Sequence, residues 1–403
     1  MVRWELTRIQ GKMGENMQIT ITDSVKYIGV DDTTIDLFES QYVVPDGVSY
    51  NSYVILDEKV AVMDTVDKRG MERWEENLLA ALDGRTVDYL VVQHLEPDHA
   101  GSIARLVELF PNVTVVGNAK TFSMLPQFFD IPLEGKLLVV KEGDTLSLGE
   151  HELTFVMAPM VHWPEVMVTY DSKDKILFSA DGFGKFGALE LTEDKDWACE
   201  ARRYYFNIVG KYGAPVQALL KKAAGLELAV ICPLHGPVLK ENLAYYIGLY
   251  DTWSSYKPEN EGVLIAYASI HGNTAKAAEK LGEMLKERGV SKVVVSDLAR
   301  EDMAEVIEDA FRYDRMIVAA ASYDGGVFPC MQNFLHHLQS KAYQNRKVAI
   351  VENGSWAPCA GKAMKSILET MKNVEIVDHM VTIRSTMKAE DMESLNKLVD
   401  AMV

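Results

Sequence analysis

The run Val87-Asp88-Tyr89-Leu90-Val91-Val92 gives way, after Gln93, to His94-Leu95-Glu96-Pro97-Asp98-His99, and Ala100-Gly101-Ser102 then leads into a helical pattern. An apolar strand that ends in a tight loop fans successive side chains toward one point. Two imidazoles and two carboxylates so closely spaced, and presented in that way, read as a metal-binding pattern. Taken alone, the stretch is also compatible with a polar loop of satisfied histidines, so the rest of the chain has to decide.

Working outward, three later positions add ligating groups. His162 sits in Met160-Val161-His162-Trp163-Pro164, Asp181 follows the apolar run Ile176 to Ala180, and His235 follows Leu228 to Leu234. Each comes at or just beyond a predicted strand, where a sheet scaffold presents groups from distant sequence on one rim. Any one of them reads equally well as a loop histidine or a turn aspartate. Together with the first four they form a joint pattern that the bland reading explains poorly. His151, His336, His337 and His379 read instead as surface or helix-face residues.

The flanking sequence of this half is a mixture of short strands and intermittent helices. Ser52–Leu56 and Lys59–Met63 pair around a turn at Asp57-Glu58, and a helix over Met71–Leu82 precedes the strand that delivers His94. Further strands are expected at Val113–Val116, Leu137–Val140, Leu153–Phe155, Val166–Tyr170 and Ile176–Ser179, giving two sheets with helices outside. A helix over Glu241–Tyr256 closes the half. Lys257-Pro258-Glu259-Asn260-Glu261-Gly262 then breaks the pattern, so a first domain is expected over 1–257 and a second over 258–403.

The second half has a different rhythm. Strands at Val263–Ala268, Lys292–Val295, Met316–Ala321, Val348–Glu352 and Glu375–His379 alternate with helices at Ala275–Arg288, Glu301–Phe311, Cys330–Ala342, Gly361–Met371 and Ala389–Met402. That alternation is the signature of a doubly wound five-stranded parallel sheet, whose ligands bind beyond the carboxyl ends of the strands. Three loops there are built for one. Ser269, His271, Gly272, Asn273 and Thr274 offer backbone and side-chain donors to a phosphate at a helix start. Ser322, Tyr323, Asp324, Gly325 and Gly326 put an aromatic beside flexible backbone, and Asn353, Gly354, Ser355 and Trp356 add a second aromatic. A phosphate cradle with two aromatics suits a flat phosphorylated ring system and points to FMN.

The bulk numbers set the outer limits. At 403 residues, with 48% apolar and 25% charged residues, the chain suits two soluble globular domains. No stretch approaches the ~20 consecutive apolar residues that span a bilayer, and Met1 to Met17 lacks the apolar core of a signal peptide. Met17 is an equally good start, with Met1 to Asn16 as an extension belonging to no fold. The net charge of −18 argues against nucleic acid or an anionic membrane as a partner. Cys199, Cys232, Cys330 and Cys359 are scattered without paired spacing, as expected of reduced thiols in the cytoplasm.

With these motifs in view, the first domain resembles the metallo-β-lactamase fold (an αβ/βα sandwich) in the variant found in flavodiiron proteins. The family pattern, His-x-Glu-x-Asp-His and then a later His, Asp and His, is matched by His94, Glu96, Asp98, His99, His162, Asp181 and His235. The second domain resembles flavodoxin, the partner domain of that family. The resemblance implies two iron ions, one held by His94, Glu96 and His162, the other by Asp98, His99 and His235, with Asp181 bridging. It further implies reduction of O2 to water or of NO to N2O. FMN would relay electrons from a separate donor such as rubredoxin or reduced deazaflavin, and a head-to-tail homodimer or dimer of dimers would bring one subunit's FMN to the other's irons. Glu96 carries the discrimination, because zinc hydrolases of the wider fold usually have His there and a hard anionic ligand favours iron. A zinc hydrolase fused to a flavin domain, and an electron carrier or redox sensor with a vestigial metal site, are the alternatives. Ser355 stands where the family often has Gly before the Trp, and the second loop lacks the Pro that often precedes its aromatic.

Overall fold

The computed structural model describes residues 20–192 and 196–403; the possible extension at Met1 to Asn16 lies outside the described residues. Two large sheets, with two small two-stranded ones beside them, make up the first part of the chain. In the six-stranded sheet, Val25–Tyr27, Tyr53–Leu56 and Val60–Met63 run antiparallel, and Tyr89–Val91, Thr114–Asn118 and Leu137–Val140 continue parallel to Val60–Met63. The five-stranded sheet follows the order Thr145–Ser147, Glu152–Met157, Met167–Asp171, Ile176–Phe178, Val230–Cys232. Its last pair is parallel. The sheets face one another across a dry layer that includes Val25, Ile55, Val91, Val116, Phe155 and Phe178. Burying both inner faces removes the strands' inward-facing apolar residues from water, which is what holds such a sandwich together.

Helices cover the outside. The Met71–Leu82 helix buries Trp74, Leu78, Ala81 and Leu82, a spacing that places them on one face. Three helical segments that the sequence reading did not anticipate, Trp197–Tyr204, Tyr205–Val209 and Gly213–Ala223, occupy the stretch before Val230.

From Asn260 onward a third sheet begins. Its parallel strands lie in the order Val293–Asp297, Asn260–Ala268, Tyr313–Tyr323, Lys347–Asn353, so the chain starts in the middle and winds both ways. The expected fifth strand at Glu375–His379 is corrected: it is split into Glu375–Ile376 and Val381–Ile383, each paired with Lys347–Asn353. Val348 pairs with Ile376 and Val351 with Val381, so the edge strand carries two extra residues and bulges between its halves. The rim loop therefore falls later in sequence than expected.

Two adjacent arginines join the parts. Arg202 donates from Nε and Nη2 to Glu259, at 2.7 Å each, and also bonds Glu308 on the Met303–Arg312 helix. Arg203 donates to Asp302 Oδ2 at 2.8 Å. Both side chains are all but buried, at 3% and 2% exposure, and Phe206 stacks on Phe311 at 4.3 Å beside them.

His151 is a second correction. It is buried, with Nε2 2.7 Å from Ser24 Oγ and Nδ1 3.0 Å from Asp171 Oδ2, and it ties the edges of the two first sheets. His336 is exposed, while His337 and His379 are half-buried.

Candidate functional site

The strand Tyr89–Val91 delivers the His94 loop to the sheet rim, and Asp64 fixes its exit. Asp64 Oδ1 accepts the Gln93 backbone N–H at 2.7 Å, and Oδ2 accepts the Gln93 side chain at 2.8 Å. Pro97 opens a one-turn helix, Pro97–Ala100, with Glu96 at its cap; proline suits a first helical position because its missing N–H has no partner to lose there. Gly101 ends the turn against neighbouring backbone. A Cβ at that position would lie 2.6 Å from the Pro97 carbonyl and 2.8 Å from the Lys68 nitrogen, which only glycine avoids.

Strand ends supply the remaining groups: His162 in the loop after Glu152–Met157, Asp181 just after Ile176–Phe178, and His235 just after Val230–Cys232. All seven candidate ligands converge. His94 Nε2 lies 3.2 Å from both Glu96 Oε2 and Asp181 Oδ2, and His162 Nε2 lies 2.9 and 3.1 Å from the same two oxygens. In the other half, His99 Nε2 is 3.1 Å from Asp181 Oδ1 and 3.4 Å from Asp98 Oδ2. His235 Nε2 is 3.2 Å from Asp98 Oδ2 and 3.8 Å from Asp181 Oδ1. Asp181 thus turns one oxygen toward each half.

These spacings fit metal ions. Donors held about 2.1 Å from one ion stand about 3.0–3.4 Å apart at octahedral or tetrahedral angles. Both carboxylate oxygens of Asp98, Oδ2 of Asp181, and Nε2 of His162 and of His235 are buried without a hydrogen-bond partner. Buried polar atoms seldom stay so unless something else is meant to meet them.

The charges are arranged for the same purpose. Burial alone would raise the Asp181 carboxyl, but His94 and His99 outweigh it and hold that group well below its usual range. Burial would lower His94, and Asp181, Glu165 and Glu96 instead push it well up. His162 is raised to about 9, its burial overridden by Asp181 and Glu96.

Two groups outside the candidate set orient the rings. Glu165 Oε1 lies 2.8 Å from His94 Nδ1 and also accepts the Leu95 N–H at 2.9 Å. The Ser49 carbonyl lies 2.7 Å from His235 Nδ1. Each contact fixes Nδ1 as the protonated nitrogen and turns Nε2 toward the cluster. Above Glu96 and Asp98 opens a cavity of ≈310 Å³ with Glu39, Asp67 and Arg69 on its walls. Glu39, in the turn between Leu37–Phe38 and Tyr42–Val43, is pushed up to about 7 by burial and then by the charge of Glu96. No local pattern singled out Glu39 in the sequence. Glu165 had one signal, its place directly after His162-Trp163-Pro164.

The flavin candidates gather around a second cavity of ≈680 Å³ beyond the carboxyl ends of the third sheet. Ser269, His271, Asn273, Thr274, the segment Ser322 to Gly325 and the segment Asn353 to Trp356 all line it. Gly272 sits behind the wall as the N-cap of the Asn273–Glu287 helix, with φ +85, a backbone state that favours glycine. No side chain caps that helix, so its first N–H groups are free for an anion. Gly326 pairs with Tyr323 in a short hairpin and is not among the lining residues. Trp356 is 90% exposed at the rim and Tyr323 44%. Ser385, absent from the sequence candidates, joins the wall. Its backbone exchanges hydrogen bonds with the Asn353 side chain at 2.9 and 3.0 Å, and its Oγ lies 2.6 Å from Ser355 Oγ.

Comparison with known proteins matches both parts. Residues 48–236 match the family model of ODP family β-lactamases, and residues 264–381 match that of a flavodoxin domain. The anaerobic nitric oxide reductase flavorubredoxin of Pectobacterium atrosepticum is 30% identical over 84% of this chain and 68% of its own length. An uncharacterised protein of Methanocaldococcus jannaschii is 27% identical over 94% of this chain and 96% of its own. Among solved structures, the rubredoxin:oxygen oxidoreductase of Desulfovibrio gigas superposes with a TM-score of 0.87 at 25% identity, covering 96% of this chain and 98% of that one. The flavodiiron protein of Giardia intestinalis shares the fold at a TM-score of 0.89 and 24% identity, over 97% of each chain.

Proposed function

Because the chain belongs to the flavodiiron proteins, a family of oxidoreductases, we propose that it reduces O2 to water, NO to N2O, or both. Its electrons would come through FMN from a small external donor such as rubredoxin. The observation that carries this reading is the convergence of seven donors in two halves that share the two oxygens of Asp181. When bound, two irons offer adjacent sites for a diatomic gas and two electrons between them, while FMN hands electrons on singly.

The chain's own residues set the conditions. His94, Glu96 and His162 would hold one ion, Asp98, His99 and His235 the other, with Asp181 between. Three carboxylates against two divalent ions leave net positive charge in a dry pocket, and Glu96 supplies the hard ligand that suits iron better than a neutral imidazole would. Glu165 and the Ser49 carbonyl hold two of the imidazoles in the required tautomer. Both reductions consume protons, and the Glu39 carboxyl stands at the polar mouth beside Glu96 and Asp98, where it can take up a proton from solvent and pass it inward. In the second cavity the free N–H groups of the Asn273–Glu287 helix would take the phosphate, and Tyr323 and Trp356 would flank the ring. A second copy of the chain, placed head to tail, would bring its flavin to this metal centre.

Anaerobic turnover of the reduced protein with O2 and with NO in parallel, driven by rubredoxin, tests the proposal. Two irons per chain and sustained consumption of at least one gas are expected. Zinc in place of iron, or a single oxidation without turnover, refutes it.

A further inference from the structure

Behind the metal ligands lies a third cavity, of ≈100 Å³, that the reaction as described does not use. It sits between the Gly213–Ala223 and Leu243–Ser254 helices and the face of the five-stranded sheet. Val168, Leu177, Leu219 and Ala223 wall its length, and Val161 and Phe183 close its inner end. Val161 directly precedes His162, and Phe183 comes two residues after Asp181. The inner wall is therefore the same backbone that carries two candidate ligands on its other side. At the outer end Ala224 lines the cavity and is exposed.

Phe183 marks the junction. Its φ of +66 is uncommon for a bulky residue. The conformation is held by its N–H, which donates to the Tyr250 hydroxyl at 2.6 Å, and by its ring, which stacks on Tyr250 at 4.3 Å. Backbone strain of this kind persists where the surroundings over-determine it and clusters at functional sites.

We propose that this cavity is an entry and holding site for an apolar diatomic gas on its way to the metal centre. Three physical constraints narrow the occupant. A space of this size is smaller than the ~150 Å³ apolar cavity that takes up benzene, so it suits a gas molecule or a noble-gas atom better than anything of ring size or larger. Its apolar lining offers an ion or a strongly hydrated solute nothing in exchange for lost water. O2 and NO are uncharged and weakly hydrated, so they lose little on leaving water and gain dispersion contacts inside. The mouth over Glu96 and Asp98 is the opposite in character, with Glu39, Asp67 and Arg69 around it, and suits protons and product water. Gas and water then use different faces of one centre. The inference rests on the reading that the substrate is a gas.

The test has two arms, both on the iron- and FMN-loaded protein. Crystals pressurised with xenon should show an atom in contact with Phe183 and Leu219, and the variant Ala223→Phe should exclude it. In stopped-flow oxidation, Ala223→Phe should lower kcat/KM for O2 or NO about tenfold. Its iron content, its flavin reduction rate and its kcat at saturating gas should stay unchanged. If Ala223→Phe does not fold, Leu219→Trp fills the same space from a half-buried position. A wild-type cavity empty under xenon overturns the proposal. So does an unchanged kcat/KM in a variant that demonstrably excludes xenon. Should the wild type consume neither gas, the catalytic reading fails, and the xenon arm alone decides whether the cavity takes an apolar gas.

Discussion

Replacing Glu165 isolates one half of the candidate metal centre without touching a candidate ligand. In the native chain its carboxylate lies 2.8 Å from His94 Nδ1 and 2.9 Å from the Leu95 nitrogen, in a side chain with no exposure at all. A hydrogen bond to a charged acceptor contributes about 1.5–3 kcal/mol, and outer partners of ligating histidines are worth about 10–100-fold in metal affinity. Glu165→Leu should therefore weaken one of two binding steps by that factor, leaving the step at Asp98, His99 and His235 unchanged. Glu165→Gln, which keeps an acceptor but not the charge, should fall between. Competition of metal-free protein with a chromophoric chelator for Zn²⁺ or Fe²⁺ resolves the two steps. Glu165→Leu also leaves His94 and the Leu95 N–H without their buried partner, which costs about 3–5 kcal/mol, so denaturant unfolding of the metal-free variant is measured alongside to establish that it folds. Two binding steps as tight in Glu165→Leu as in the wild type would refute the claim that Glu165 sets the His94 ring.

Other outcomes follow from the same geometry. With His162 raised to about 9, metal uptake must displace a proton, so affinity should rise with pH and level off near 9, and uptake at pH 7 should release protons into a weak buffer. In the metal-free protein that same charge stabilises the fold fully below the ordinary value of 6.5 and is lost as pH climbs through about 9; a urea series across this window should show the slope, and metal should abolish it. Trp356→Ala should weaken FMN binding about tenfold to a hundredfold, as loss of a large stacking surface does, with metal content unchanged by elemental analysis. Arg202→Leu leaves Glu308 and Glu259 without their shared buried partner and should cost about 3–5 kcal/mol, read from the shift in urea midpoint. A variant that breaks the proposed dimer should lose nearly all gas reduction while keeping both cofactors, as measured by oxygen uptake alongside sedimentation.

The parts of the molecule that sequence disclosed are those whose signal is local. The central strands of the third sheet, Asn260–Ala268, Tyr313–Tyr323 and Lys347–Asn353, are buried over most of their length and contain unbroken apolar runs, so they are legible to within a few residues, as is the edge strand Val293–Asp297. The seven metal candidates are legible because four crowd into His94 to His99 just after an apolar run and the other three each come at or just beyond one. What stayed hidden depends on contacts between distant residues. The helix Trp197–Tyr204 buries Arg202 and Arg203, so the face that packs inward looks polar until Glu259, Glu308 and Asp302 are placed opposite it. Ser385 was missed because the edge strand carries two extra residues, which moves its rim loop along the chain. His151 was misread because Ser24 and Asp171, its partners, are far away in sequence. Glu39 lies in a turn flanked by strands of two residues each, too short for any periodicity to register.

The arginine pair at 202 and 203 has a consequence for kinetics. Anchored on three carboxylates from beyond residue 258, with Phe206 stacked on Phe311, it resists relative movement of the two parts. On the proposed function, a flavin at one end would then not swing toward irons at the other, and the spacing over which electrons jump would be set once, by assembly of the proposed dimer. Turnover limited by that jump should then be indifferent to solvent viscosity, and glycerol or sucrose should slow only the encounter with the external donor.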